Sequence, residues 1–442
     1  MQLPKLLFLS TFLFIISIYN CCAQSNKADA ISPENKEVPK AMFLSDFHIG
    51  EVYGSVTKVL PKNDSIQKYY DSTTVNNEKI YYRKEIETLF DTLYKKCGRY
   101  NTIQYLILTG DIIDMAVHNT SDVLNLAYSF FNNEEIGNGR SFASFFNTII
   151  YIPGNHDHHV WKMLQEQYYI SNSMELTGKA LPIQQQIIGV LNLEKGSMSK
   201  DSVIFPDPKK NFLSRVFSDN KKPVYIAYPN LYIKTFSKHI CVTHGHFFEP
   251  GWNKSSLNFS KPGKRIDDSE YFSELEKNNS PITEFSDYAV SQSMGGLAQG
   301  INDIQYGDST YYKKYLKLVK LFPQLFPVNL NEPKRTKHND IQKLMEHPEL
   351  VDTFLLHTKR QMHNEHMKFN TLIYGHTHVP CDSVQYRKHI DDLVGYKLKF
   401  HLSIYNTGGW VSIDDISKPT PLFLYKSGKI ESVSLELNKL KP

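Results

Sequence analysis

Five times along the chain a short apolar run ends in a cluster of polar residues. Ala41-Met-Phe-Leu44 leads into Ser45-Asp46-Phe47-His48, and Tyr105-Leu-Ile-Leu-Thr109 into Gly110-Asp111-Ile112-Ile113-Asp114. Thr148-Ile-Ile-Tyr-Ile152 leads into Pro153-Gly154-Asn155-His156-Asp157, Cys241-Val-Thr243 into His244-Gly245-His246, and Thr371-Leu-Ile-Tyr374 into Gly375-His376-Thr377-His378. Runs of this length bounded by turn residues predict buried strands. Helical spacing lies between the early ones. Ile86, Leu89, Phe90 and Leu93 share one face of a helix predicted over 83–97. A second helix is predicted over 123–131, with Ser121-Asp122 as its cap.

Strand–helix–strand alternation predicts an α/β fold. In such sheets ligands gather beyond the carboxyl ends of the strands, so all five clusters are expected at one sheet edge. Residues 41–252 and 369–442 then form the two parts of a core. Residues 162–222 read as an insertion within it, and 51–80 as a shorter polar one. Residues 253–368 read as a mostly helical insertion or cap, clearest over 311–321 and 339–367. The tail predicts strands at 401–404, 422–425 and 430–437, with turns at Gly408-Gly409 and Ser427-Gly428.

The amino terminus has a different pattern. One Lys precedes an apolar run, Leu6–Tyr19, that is too short to span a bilayer, which needs about 20 residues. Residues 1–23 therefore read as a signal peptide, cut after Ala23, and 24–40 as a linker. A competing reading is lipoprotein processing, with Cys21 or Cys22 acylated, which would give the only expected membrane contact. Either way the chain is expected to be exported, to the periplasm or beyond. Three cysteines remain, Cys97, Cys241 and Cys381, and an odd number implies no disulfide framework.

Composition narrows the classes. With 442 residues, 41% apolar and 22% charged, the chain can bury a large core and is neither disordered nor polytopic. Fifty Lys and Arg against 46 Asp and Glu give a net charge of +4, too balanced for a dedicated nucleic-acid binder, so no nucleic-acid partner is expected.

The clusters supply Asp46, His48, Asp111, Asn155, His244, His376 and His378: two carboxylates, one amide and four imidazoles. Oxygen donors mixed with imidazole nitrogen suit divalent Mn, Fe or Zn. Seven donors are too many for one ion that keeps an open position, and suit two ions sharing a carboxylate. Asp46-x-His48 and His376-x-His378 each put two side chains on one side of an extended segment. Asp114 is expected to be a structural hydrogen-bonder at a helix start. His246 is expected to support the ligand beside it. His158 and His159 are open between solvated residues and substrate contacts. The histidines at 357, 363 and 366 are expected on a solvated helical face, and Trp410 in the core or against substrate.

The motifs DxH, GDxxD, GNHD, HGH and GHTH, in this order, resemble the calcineurin-like metallophosphoesterase superfamily over roughly 41–160, 223–252 and 369–436. The resemblance implies a four-layer αββα sandwich. It implies one metal on Asp46, His48 and His378, a second on Asn155, His244 and His376, and Asp111 bridging them. It implies His156 beside the substrate phosphate as general acid or transition-state stabiliser, oriented by Asp157. Hydroxide formed from water at the paired ions would attack phosphorus in line with the leaving oxygen. Within the superfamily the chain looks like UDP-diacylglucosamine hydrolases through its HG pair after Pro229–Tyr232, although those enzymes usually have Arg where His156 stands.

Three functions are therefore carried. The first is an exported hydrolase of small phosphomonoesters or phosphodiesters. The second is a pyrophosphatase on a lipid-linked or nucleotide-sugar substrate, with a groove near Tyr311, Phe322 and Phe326. The third is a non-catalytic metal-binding interaction module.

Overall fold

The computed structural model describes residues 37–248, 271–284, 348–361, 369–411 and 418–436, apart from 52, 61–66, 76–77, 99, 116–118, 175–177, 179–182, 200–204, 206 and 220–221. It also leaves out 392–396. Residues 1–23, Tyr311, Phe322, Phe326, His363 and His366 lie outside the described residues.

The apolar runs become adjacent strands of two sheets. In the first, β1 (Ala41–Leu44), β5 (Ile103–Leu108), β6 (Phe146–Tyr151) and β9 (Val224–Ile226) run parallel. On the other side of β1, β15 (Leu422–Leu424) pairs antiparallel, followed by β16 (Ile430–Ser432). The second sheet has seven strands among the described residues. Its centre is β11 (His239–Thr243) and β12 (Thr371–Tyr374), parallel to each other, with β14 (Lys397–Asn406) parallel to β12. On the far side β10 (Asn230–Lys234) is antiparallel to β11.

Side chains alternate faces along a strand, so each sheet has two buried faces to cover. Ala41, Phe43, Tyr105, Ile107 and Ile150 of the first sheet share one core cluster with Leu231, Ile233, Ile240, Val242 and Ile373 of the second. That cluster is the seam between the sheets. Each fully buried aliphatic or Phe side chain contributes roughly 1.5–3 kcal/mol. The intervening residues, among them Met42, Leu44, Leu106, Leu108 and Ile149, belong to a second cluster with residues of the flanking helices. The layers are therefore helix, sheet, sheet, helix, the αββα sandwich expected.

One helical layer holds α1 (Glu85–Cys97) and α2 (Thr120–Asn132), and α3 (His158–Tyr168) follows β6. The predicted α1 face is the buried one, with Ile86, Leu89, Phe90 and Leu93 inside. The predicted cap of α2 is corrected. Asn119, not Ser121 or Asp122, sits at the N-cap and accepts a hydrogen bond from the Asp122 backbone N–H at 3.0 Å. The opposite layer includes α4 (Tyr271–Thr283) and α5 (Pro348–Gln361). These are the described parts of the 253–368 segment: α5 packs on the second sheet, the Tyr232 hydroxyl donating to the Thr358 carbonyl at 3.4 Å, and α4 lies beside α5 with Phe272 against Phe354. Val351, Phe354, Leu355 and Thr358 form the i, i+3, i+4, i+7 stripe that α5 buries. His357 is likewise buried, contrary to the solvated face expected.

Three further expectations change. The five clusters do not sit on one sheet: β1, β5 and β6 deliver three, and β11 and β12 of the facing sheet deliver two. Residues 51–80 are not a bare insertion but part of a three-stranded sheet of β2 (Val56–Thr57), β4 (Glu78–Arg83) and β3 (Tyr70–Val75). The 162–222 segment supplies β7 (Gly189–Asn192), parallel to β10, and β8 (Ser197–Met198). Strand β13 (Cys381–Asp391), the longest among the described residues, pairs antiparallel with β14. In β3 and β13 residues such as Ser72, Thr74, Gln385, Arg387 and His389 face water, so their polar composition hid a period of two. Cys97, Cys241 and Cys381 are all buried and free. Among the described residues no helix is long and apolar enough to cross a membrane.

Candidate metal centre

Each candidate residue follows the carboxyl end of a strand, and the backbone there is unusual. Asp46, His48, Asp111, His376 and His378 all have positive φ, between 47° and 66°. A left-handed conformation costs a non-glycine residue of order 1–3 kcal/mol and persists only where the surroundings over-determine it. Asn138 and Ser383 are the other such residues among those described. The strain is thus concentrated where the clusters meet.

The seven side chains come together. Ligand atoms of Asp46, His48 and His378 lie within 4.8 Å of one another, as do those of Asp111, His244 and His376. Asn155 joins the second group, its Oδ1 3.1 Å from His244 Nε2. Asp111 stands between the groups: its Oδ2 is 3.2 Å from His244 Nε2 and 3.9 Å from His48 Nε2. Apart from the partly exposed His376, these residues are buried.

Surrounding acceptors fix which nitrogen each histidine presents. His48 Nδ1 is 3.0 Å from Asp114 Oδ2, and His244 Nδ1 is 2.9 Å from the carbonyl of Thr109. A carboxylate or carbonyl oxygen can only accept, so both Nδ1 atoms carry the proton. The Nε2 atoms are left facing the centre, where a cation would take the lone pair in place of a proton, as metal-ligating histidines are held elsewhere. Asp46 is fixed by the backbone N–H of His376, 3.0 and 2.9 Å from its two oxygens, and by the Ser45 hydroxyl. Gly154 is required for space: a Cβ there would lie 2.7 Å from the Asp111 nitrogen and 2.9 Å from His244 Cδ2.

Charge is distributed accordingly. Burial opposes ionisation of every one of these groups, but partners reverse it. The His378 hydrogen bond lowers the Asp46 carboxyl, and His244 holds Asp111 well below the carboxylate range. His244 is raised to about 9 by the Asp111 charge. A pocket of carboxylate, amide and imidazole donors meeting at Asp111 can take metal, and two cations would divide it. Asp46, His48 and His378 would hold one, and Asn155, His244 and His376 the other.

His156 has a different environment. Its side chain is 30% exposed, and its Nδ1 lies 3.1 Å from Oδ2 of the buried Asp114. Its backbone N–H donates to Asp111 Oδ1 at 2.9 Å. The expectation that Asp157 orients His156 is corrected. Asp157 accepts from the backbone N–H groups of Ile112, at 2.9 Å, and Gly154, so its carboxylate shapes the loop instead. The orienting group is Asp114, which is not at a helix start. The loops after β1 and β5 continue the parallel pairing through a bridge between Ile49 and Ile113, and this register sets Asp114 beside His48 and His156.

His158 and His159 are neither solvated nor at the centre. His158 Nε2 is 2.8 Å from Glu276 and its Nδ1 is 2.7 Å from Glu284, while His159 Nδ1 is 2.6 Å from Glu284. Lys162 and Tyr228 also bond Glu276, at 2.9 and 2.7 Å. This network docks α4 against α3. His246 is buried, with its ring 5.4 Å from that of His244 and 6.4 Å from that of His376. Trp410 is in the core, stacked on Phe47 at 4.5 Å.

The family model for calcineurin-like phosphoesterases matches residues 39–283, more than half the chain, and the protein belongs to that family. It is accordingly a metal-dependent hydrolase of phosphate esters. No curated protein matches the chain.

Proposed function

We propose that the protein is a dinuclear phosphohydrolase that cleaves a small phosphomonoester or phosphodiester by direct attack of hydroxide. The observation that carries this reading is the position of Asp111, one carboxylate oxygen within 4 Å of imidazole nitrogens from both groups. When bound, two divalent ions (Mn, Zn or Fe) would polarise the phosphoryl oxygens and supply a nucleophile at neutral pH.

The chain's own residues do the rest. Asp111, Asp46 and Asn155 provide the oxygen donors, and the four histidines provide imidazole nitrogen. With its Nδ1 fixed by Asp114, His156 presents Nε2 at the accessible side of the site. From there it donates a hydrogen bond to a phosphoryl oxygen, or its proton to the leaving alkoxide. Proton transfer of this kind is worth about 10²–10⁴-fold in rate. No side chain need be phosphorylated. Export of the chain belongs to this proposal and is supported only by the composition of residues 1–23.

The test is turnover of aryl phosphomonoesters and phosphodiesters by protein reconstituted in turn with Mn, Zn and Fe. Release of the aryl alcohol with at least one metal, lost in H156A, is the expected result. Metal-loaded protein inert toward every ester would instead favour a binding module.

A further inference from the structure

Arg83 lies outside every motif, yet it is buried, 4% exposed, at the end of β4. Its guanidinium pairs with both oxygens of the equally buried Glu85, so the charge is compensated where water cannot reach it. The remaining nitrogen is used on a loop far away in sequence: Nη1 donates to the Trp410 carbonyl at 2.6 Å.

Both ends of Arg83 lead to the same turn. Its backbone N–H donates to Ser55 O at 2.9 Å, and the Ser55 N–H donates to Phe47 O at 2.8 Å. On the other side the Trp410 N–H donates to Asp46 O at 3.1 Å, and its indole stacks on the Phe47 ring at 4.5 Å. A closed circuit therefore runs Asp46–Trp410–Arg83–Ser55–Phe47. It encloses the turn whose ligand residues Asp46 and His48 have φ of 53° and 47°. The Trp410 loop also touches the third donor of that group. A Cβ on Gly409 would lie 2.6 Å from His378 Cγ, so the backbone of this loop is packed on the His378 ring.

We propose that Arg83 is a positioning residue for one of the two cations, the one held by Asp46, His48 and His378. It does not touch the ion. It holds the strained turn and the Trp410 loop in the geometry that makes the three donors converge. Of the second ion's unshared donors, Asn155 and His244 come from the loops after β6 and β11, outside the circuit, whereas His376 meets it only through its backbone N–H, which bonds Asp46. The proposal rests on the two-ion reading above, and its test separates the two.

The probe is Mn²⁺, titrated into purified full-length protein and followed by calorimetry and by metal analysis. In an H244A background, which isolates the Asp46 site, R83M is expected to weaken Mn²⁺ binding about 10–100-fold, the usual cost of losing an outer support. R83K keeps a cation but cannot serve Glu85 and Trp410 together, and is expected to fall between R83M and Arg83. In an H48A background R83M is expected to weaken the remaining site several-fold less, because only His376 and Asp111 of its donors bond the enclosed turn. Equal weakening in both backgrounds would reduce Arg83 to a general stabiliser and overturn the proposal. So would a folded R83M or R83K that binds like its parent. If R83M does not fold, R83K decides. Failure of H244A with Arg83 intact to bind any Mn²⁺ would remove the two-ion reading itself, without reference to Arg83.

Discussion

Asp114 Oδ2 lies 3.1 Å from Nδ1 of His156 and 3.0 Å from Nδ1 of His48. One carboxylate oxygen thus orients both the accessible histidine and a candidate metal ligand. Burial works against its charge, but the two histidines hold its pKa far below the usual carboxylate range. It is anionic at any pH where the enzyme would work.

Replacing that carboxylate should cost both functions unequally. D114N can turn its amide N–H toward either imidazole and disturb the proton arrangement of each. Turnover is expected to fall about 10²-fold, of the order of a general-acid contribution, with metal affinity reduced less. H156A should keep both ions and lose about 10²–10⁴-fold in kcat. Steady-state kinetics at saturating metal, beside metal analysis, checks both. Wild-type turnover by either variant would refute the assigned roles.

Gly154 gives a second, steric test. G154A would drive a methyl group against the Asp111 backbone nitrogen, 2.7 Å from the added Cβ, and against the Asp111 carboxylate. Neither neighbour can yield without moving the shared donor. The expected result is loss of metal from the folded variant, read by metal analysis with circular dichroism as the folding control. Full metal content would show that Asp111 has room to spare.

Docking of α4 should depend on pH. Burial lowers the His158 pKa, but Glu276 and Glu284 raise it to about 9 from 6.5. Its contribution is complete below pH 6.5 and is lost as pH rises through about 9. Glu276 and Glu284, both at about 2 against an ordinary 4.5, contribute above 4.5 and lose it as pH falls toward 2. Hydrogen exchange of the 271–283 amides, corrected for intrinsic rate, should therefore show greatest protection between about pH 4.5 and 6.5 and decline toward pH 9.5. Uniform protection across that range would contradict the network.

The ligand set was legible because chemistry and fold coincide there. Apolar strands such as Thr371–Tyr374 announce themselves, and the residues just past their ends carry the unusual composition. Asp114 was not readable as the partner of His156. Its placement depends on the register of two loops, fixed by the Ile49–Ile113 bridge, which no local pattern encodes. The same holds for His158 and Glu276, which are 118 residues apart and meet only once α4 packs. Strand β13 escaped notice because Arg387, His389 and other alternate residues face water. The same holds for Ser72 and Thr74 in β3 of the three-stranded sheet.

The central claim is that two cations share Asp111, and metal stoichiometry tests it most directly. Wild-type protein, stripped and reloaded, should retain close to two ions per chain after desalting. D111N should lose affinity for both, because the shared donor serves each site. Retention of one ion or none by the wild type, or two by D111N, would contradict the account.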